Sequence, residues 1–506
     1  MRKHSFRTES GGILGDMNHP VSWPAAPDRP GLPAGAPARA LPEPVADSPD
    51  YHRQGVARRR RIDLIDVALT VLCVVPVAVF VAQDGIDTLT SVPGFVKSVG
   101  MLTGLVAMAL LLEMVLLAAR IPFVDHAIGH DHALLKHRRL TVAALILLFV
   151  HAIGLLVSYA MTDKLGLFAE FSGLWTLGDF VLAVLGLGLF CLVGMTSWTV
   201  TKRHLPHEGW FVLHLLSYAA LAVSIPHQFS MSGMFATGLA RWYWMGFIAV
   251  TAFCLLHFRV LTPLFNSLDH RLFVSATEPA GPDTVNIYLS GRNLRGLGLQ
   301  AGQFFHFRFL TRRLWWHEHP FSTSSGLFTN AAGQDTFRIT VRNLGKGTAE
   351  LIRVRPGAKV SFEGPYGVFS DRARTRDDLV LVGAGVGIAP IRALLDGTNT
   401  VPGRALVVLR ARTPTELFLL DEFRVSCALR GITLVTLIGD PGTNVRTGLS
   451  WSSIHQPTLR LAELAPWAPD ADIFICGPQQ WADQTIAEAV ACGVPRTQIH
   501  DERFAW

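Results

Sequence analysis

The chain has 506 residues, of which 50% are hydrophobic and only 17% charged, with a formal net charge of +6. Ordinary soluble domains carry roughly 25% charged residues, and mean hydropathy here is +0.33, so composition argues against a wholly soluble protein and for several domains. The modest positive charge comes without an Arg/Lys stripe interleaved with aromatics, which argues against a nucleic-acid partner. Six cysteines, Cys73, Cys191, Cys254, Cys427, Cys476 and Cys492, are scattered without a CxxC pair, so neither a disulfide framework nor a zinc site is indicated.

Residues 1–61 form a first zone. The stretch PVSWPAAPDRPGLPAGAPARALPEP is too rich in Pro, Ala and Gly to build a core and reads as disordered. No apolar stretch follows Met1, so it does not read as a cleaved signal peptide. It ends on the basic run Arg58, Arg59, Arg60, Arg61.

Residues 62–262 hold six apolar stretches, near 64–82, 99–119, 139–160, 178–200, 209–228 and 239–260. Each is about 20 residues, enough to cross a hydrocarbon layer of ~30 Å. Three basic groups fall on one side: the Arg58–Arg61 run, then Lys136, Arg138 and Arg139, then Lys202 and Arg203. The opposite loops hold little beyond Lys97, Lys164 and Arg241. The positive-inside rule then places both termini in the cytoplasm of a six-pass plasma-membrane protein.

Four histidines in these stretches pair at similar spacings. His137 and His151 are 14 residues apart on the third segment; His214 and His227 are 13 apart on the fifth. On helices, each pair spans roughly 20 Å along the axis. Segments 3 and 5 both run outward, so His137 and His214 lie toward the inner face and His151 and His227 toward the outer. Packing residues are the commoner use of a lone apolar-helix histidine, but ionisable groups in lipid are costly and mark function. Two such rungs match what two bis-histidine haems need. His137 stands at the edge of its segment, so that helix must begin a turn or two earlier. Nearby, Asp125, His126, His130 and His132 read either as a metal cluster or as a solvated loop touching a soluble domain; His204 and His207 receive no ligand role.

From about 268 the style changes. Short β-like runs at 284–289, 303–309, 336–341 and 359–362, with Gly/Pro punctuation, predict a small antiparallel barrel over 268–373. From 374 to 506 the rhythm is strand, turn, helix: LVLVG leads into GAGVGIAP and IRALLD, and ALVVLRAR, ITLVTLIG and DIFICGP follow. That predicts a parallel α/β sheet. Gly383, Gly385 and Gly387, with Pro390, stand where a backbone approaches a pyrophosphate at a helix N-terminus. Cys476, Gly477 and Pro478 follow a later strand. Upstream come His319-Pro320-Phe321-Ser322-Thr323-Ser324-Ser325 and Glu363-Gly364-Pro365-Tyr366-Gly367.

This ordered set resembles the ferredoxin–NADP reductase superfamily. Together with six helices and four histidines it resembles the ferric reductase and NADPH oxidase family, over about 62–506. The implied fold is a multi-domain membrane protein: a six-helix transmembrane bundle, an antiparallel β-barrel FAD domain and an α/β parallel-sheet NAD(P)-binding domain. The resemblance implies two haems b held by His137, His151, His214 and His227. It implies FAD on His319, Pro320, Phe321 and Ser322, with Phe321 against the isoalloxazine and the Ser322 hydroxyl near flavin N5. Ser325 and the Gly345–Thr348 turn would serve the FAD phosphates, although GKGT also reads as an ordinary turn. The glycine loop and Pro390 would take the nicotinamide dinucleotide. Cys476, with Gly477 and Pro478, would lie near the nicotinamide, unless it is a packed strand-end cysteine. Arg410 and Arg412 follow a strand where the adenosine ribose should lie; a guanidinium there would clamp a 2′-phosphate and favour NADPH, with NADH open. Trp506 would cover the flavin.

The implied activity is electron flow from cytosolic NADPH through FAD and two haems to an outer acceptor, either dioxygen or ferric iron. Animal-type oxidases carry a further histidine one turn past the outer ligand of the third helix; Leu155 stands there. No outer cluster suggests a ferric chelate site, since Asp84, Asp87, Asp163 and Glu170 are dispersed. Two other readings stay open: an electron-input subunit serving a protein partner, and a haem-free, membrane-anchored flavin reductase.

Overall fold

The computed structural model describes residues 50–85, 87–198, 207–439 and 460–503. Lys202, Arg203, His204 and the expected flavin cover Trp506 lie outside the described residues. Among the described residues, six helical spans are long and apolar enough to cross a membrane. They are α1 (Tyr51–Phe80), α2 (Val92–Ala118), α3 (His130–Asp163), α4 (Gly178–Ser197), α5 (His207–Val223) continued after Ser224 as α6 (Ile225–Ser230), and α7 (Gly238–Leu256).

α1 begins ten residues before the boundary expected at 61, so the basic run Arg58 to Arg61 is helical. Asp50 caps it, accepting from the Arg53 amide at 3.0 Å. Two contacts hold the extra turns: the Arg374 guanidinium donates to the Tyr51 hydroxyl at 2.8 Å, and Arg58 donates to the Ala127 carbonyl at 2.9 Å. α3 begins at His130, two turns before His137, as the position of that histidine requires.

α3 has two distinct faces. Val142, Ile146, Phe149 and Ile153, at helical spacing, are exposed large apolar residues suited to lipid. His130, Ala144 and Ser158, at heptad spacing, are buried. That inner face meets α2 through glycines. A Cβ on Gly154 would lie 3.3 Å from the Gly100 Cα, and one on Gly104 would meet the His151 Nδ1 at 2.3 Å. In lipid, where apolar burial supplies little drive between helices, such close backbone approach supplies the packing.

The soluble part begins with two antiparallel sheets. One has the order β1 (Phe273–Gly281), β2 (Thr284–Ser290), β6 (Asp335–Arg342), β5 (Phe328–Thr329). The other has the order β4 (His319–Ser322), β3 (Phe304–Phe309), β7 (Val360–Tyr366). Single bridges, Phe273 to Lys359 and Thr323 to Ile339, join them. The expected barrel is therefore open: its sheets touch at points instead of sharing a continuous ladder. Alternation along β3 sends Phe305, Phe307 and Phe309 into a core with Phe337 and Phe362.

The second unit is a five-stranded parallel sheet, ordered β10 (Thr433–Ile438), β9 (Ala405–Ala411), β8 (Asp378–Ala384), β11 (Ala471–Gly477), β12 (Ile499–Arg503). β8, β9 and β11 are buried along their whole length or nearly so, as expected for strands covered on both faces. The order runs outward in both directions from the β8/β11 pair, and the carboxyl ends at such a switch point are where sheets of this kind take their ligands.

Candidate functional site

The four histidines meet as two rungs. The His137 and His214 ring centroids are 6.1 Å apart, and those of His151 and His227 are 6.4 Å apart. An imidazole nitrogen sits about 2 Å from a bound metal such as zinc; two such bonds plus the half-widths of two rings fill this separation. Both histidines of α3 are held by α2. His137 Nδ1 lies 2.9 Å from the Met114 carbonyl and His151 Nδ1 2.8 Å from the Gly100 carbonyl. A carbonyl only accepts, so each Nδ1 carries the proton and each Nε2 keeps its lone pair. That is the tautomer and orientation a metal-bound histidine needs. Met114 and Gly100 repeat the 14-residue spacing of His137 and His151, a match that sequence reading of α3 alone missed. On the facing helix, His214 Nδ1 lies 3.3 Å from Ser197 Oγ, and Trp210 stacks on its ring at 5.1 Å. Leu155 packs against Gly100, so the position past the outer ligand faces α2.

The second cluster gathers on β4. Lateral pairing with β3 sets Ser322 opposite Phe304 and Phe321 opposite Phe305. His319 stacks on Phe321 at 6.3 Å, and Gly347 of the GKGT turn lies against the His319 ring. That turn opens a short helix at Lys346, with Thr348 Oγ1 accepting from the amides of Gly345 and Leu344 at 3.0 and 2.8 Å. Ser325 is buried; its hydroxyl donates to the Gly326 carbonyl at 2.8 Å and accepts from the Arg338 amide at 3.0 Å. Arg338 crosses behind this loop, bonding Ser324 and forming a bidentate pair with Glu422 at 2.6 and 3.0 Å.

Glu502 is the residue that sequence reading passed over. It pairs laterally with Cys476 across β11 and β12, and the Ser322 hydroxyl donates to its Oε2 at 3.2 Å. Burial pushes its carboxyl well above the carboxylate range; the Asp131 charge adds to this and the Ser322 bond opposes it. A buried acid thus stands behind the hydroxyl expected at the flavin. Its signal was an acid in the final strand, next to Asp501 and four residues before Trp506. Cys476 is fully buried at the end of β11, where burial raises its thiol.

The glycine loop lies where β8 meets β11. Gly385 has a φ of +56° and open space where a side chain would stand, whereas a Cβ on Gly387 would lie 2.1 Å from the Cys476 carbonyl oxygen. Pro390 is buried in the first turn of the helix Ile388–Gly397, where its missing N–H costs little. Gly477 accommodates Trp481, whose ring would lie 2.8 Å from a Cβ there, and Pro478 caps the helix Gln479–Ala491. Arg410 is buried, donating to the carbonyls of Leu437 and Ala411 at 3.2 and 3.3 Å; Arg412 is exposed. Gly387→Ala is expected to raise KM for the nicotinamide dinucleotide by about tenfold or more, the equivalent of ~1.4 kcal/mol, because two backbone segments must part. Gly385→Ala has open space for its methyl, so its ~1–2 kcal/mol of left-handed strain should fall on stability and leave that KM within about twofold. Titration of both variants with the dinucleotide checks this; equal effects would remove the close-approach role of Gly387.

Residues 103–225 match the family described as ferric reductase like transmembrane component. The reductase component of propane 2-monooxygenase from Rhodococcus jostii (strain RHA1) is 25% identical over 240 residues, 47% of this chain. The chain spans 64% of that relative's length. Ferredoxin–NADP reductase B from Sorangium cellulosum (strain So ce56) is 28% identical over 184 residues, 34% of this chain and 73% of the relative. Among solved structures, the FAD/NAD-binding domain of the nitric oxide dioxygenase from Vibrio cholerae O1 biovar El Tor is similar with a TM-score of 0.36 and 21% identity, covering 47% of this chain and 99% of that one. The chain thus joins two parts: a membrane segment similar to the ferric reductase like transmembrane component, and a soluble half similar over part of its length to reductase components such as ferredoxin–NADP reductase B.

Proposed function

We propose that this protein takes a hydride from cytosolic NADPH and delivers electrons singly to an acceptor on the outer face of the plasma membrane. The observation that carries the reading is the pair of histidine rungs, anchored on the α2 backbone, in one chain with a reductase-like unit. When bound, FAD would turn the hydride into single electrons and two haems b would conduct them through the bilayer.

The chain's own residues supply the rest. His319, Pro320, Phe321, Ser325, Gly345 and Thr348 would hold FAD. Ser322, backed by buried Glu502, would present its hydroxyl where the hydride arrives. Gly383, Gly385, Gly387, Pro390, Gly477 and Pro478 would shape the dinucleotide seat, with Cys476 as its neutral floor and Trp506 as the flavin cover. Arg412, the exposed one of the two arginines, would clamp the 2′-phosphate, and Arg410 would brace the strand ends. The basic flanks favour cytoplasmic termini, so His137 and His214 would hold the inner haem and His151 and His227 the outer.

Reduced-minus-oxidised spectra of the protein in detergent should show Soret and α bands. A flavin spectrum alone would leave a haem-free flavin reductase. Superoxide-dismutase-sensitive dye reduction would identify dioxygen as the acceptor, and stimulation by ferric chelates alone would identify iron. The absence of both would favour a protein partner, a second reading supported by relatives named as components of oxygenase systems.

A further inference from the structure

Two sequence features have no role in the function proposed above: the Glu363-Gly364-Pro365-Tyr366 stretch and the histidines before the third span. The fold brings them together. Tyr366, at the end of β7, is buried, and its ring stacks on His130 at a centroid distance of 5.6 Å and an interplanar angle of 26°. The Arg120 guanidinium lies 5.0 Å from the same ring. Burial pushes the Tyr366 phenol up to about 12, so it meets the bundle as a neutral ring.

The rest of β7 is gripped as well. Glu363 accepts from Arg120, which follows α2, and from Arg259, which follows α7, at 3.2 Å for the latter. Arg120 is buried and held at a φ of +61°, a strained conformation for a non-glycine residue. Ser267, in the helix that continues the sixth span, lies 3.0 Å from Ser361 Oγ and accepts from the Phe362 amide at 3.3 Å. The ends of the second and sixth spans and the start of the third therefore all converge on one strand of the flavin domain.

That strand also reaches the flavin side. Ser322, Phe304 and Tyr366 are lateral neighbours across β4, β3 and β7, at about 4.8 Å per strand. On the other side, His130 lies seven residues before His137, almost two helical turns, on the same face of α3 and roughly 10 Å below it.

We propose that β7 from Ser361 to Tyr366 is the dock for the membrane bundle, and that the Tyr366–His130 stack sets the gap between the flavin pocket and the inner histidine rung. The proposal rests on the two-rung reading. One electron at a time passes from the reduced flavin to the inner haem; no bond is made or broken in the stack, neither ring changes oxidation state, and the proton of the hydride leaves on the cytoplasmic side. His130 and Arg120 are positioning residues, acting through Tyr366.

The test uses the full chain in detergent, mixed rapidly with NADPH and followed at flavin and haem wavelengths. His130→Ala should leave flavin reduction and KM for NADPH within about twofold. Haem reduction should slow by about tenfold to a hundredfold, the scale of an ångström's misplacement. His130→Phe, which keeps a ring to stack, should recover most of the rate. Without NADPH, amide exchange across residues 360–368 should rise in His130→Ala and in Arg120→Gln, the second variant guarding against misfolding of the first. Haem reduction at the wild-type rate in His130→Ala, or flavin reduction slowed as much as haem reduction, would overturn the proposal. If the wild type shows no haem bands, the two-rung reading falls. The dock is then judged by exchange alone: loosening in the variants supports it and unchanged exchange removes it.

Discussion

His214→Ala should remove the inner haem and stop electron flow across the membrane while leaving the reductase half at work. Each rung has one ligand per helix, and α3 alone cannot close the clamp. His137 would keep its bond to the Met114 carbonyl but lose the ring opposite it at 6.1 Å. Haem absorbance should fall by about half, as one of two bis-histidine sites is lost. Delivery to any outer acceptor should fall by more than about a hundredfold, beyond the 10–100-fold cost of losing an orienting partner. NADPH oxidation with a soluble artificial acceptor should persist, because the residues proposed to hold FAD and the dinucleotide lie in the other domains. Ser197→Ala gives the graded comparison: it removes only the hydroxyl 3.3 Å from the His214 Nδ1 and should weaken haem retention without abolishing it. Recovery of both haems from the His214 variant would sink the ligand assignment.

Arg338→Ala is expected to be the most damaging change in the soluble part. The guanidinium is 3% exposed and joins two domains, binding Ser324 behind the flavin loop and both oxygens of Glu422 on the helix Leu420–Arg430. Glu422 is itself about a third exposed, so the cost lies mainly in the lost hydrogen bonds of the buried guanidinium, about 1–3 kcal/mol. For a soluble part of this size that corresponds to a fall in Tm of about 2–12 °C. FAD should be lost on gel filtration, since Ser324 and Ser325 lose their backing. Arg392, which also reaches Glu422 at 3.2 Å, will relieve part of the cost. The partly exposed Arg342–Glu416 pair links the same two domains at 2.8 Å and should cost less than about 1 kcal/mol when broken. If scanning calorimetry finds the two losses equal, burial is not what gives Arg338 its weight.

The histidine spacing carried much of the membrane architecture, but only half of its geometry. Fourteen residues on α3 return nearly to the same face, so that helix needed no adjustment. Thirteen residues of an unbroken helix end roughly 140° from where they start, which would point His227 away from His151. The fold resolves this at Ser224, where α5 stops and α6 begins. Pro226 supplies the cause: it has no amide to donate, and its ring clashes with the preceding turn. The break re-aims His227 until its ring lies 6.4 Å from His151. Pro226 was visible in the chain; which way the break would turn was not.

The same division holds in the soluble half. Alternating and continuous apolar runs located β2, β3, β6 and β7 to within a few residues, because burial of one or both faces is written in local pattern. β1 and the short β4 and β5 carry too little pattern to be seen. Glu502, His130 and the Glu363–Tyr366 strand took on meaning only through partners hundreds of residues away or in another domain. An acid, a histidine or a tyrosine has no periodicity, and its protonation and contacts are set by what the fold buries against it.

By itself, then, the sequence determined six membrane spans, the residue types of the two rungs, and a flavin strand and glycine loop in the order a reductase requires. These depend on short-range periodicity and on backbone chemistry that particular residues demand locally. Only the tertiary structure decided which carbonyls of α2 meet His137 and His151, how His227 is turned back toward its partner, that Glu502 is buried behind Ser322, and that one strand gathers contacts from the ends of three spans. Each of those is a relation between distant segments, and distance along the chain carries no record of which surfaces will meet.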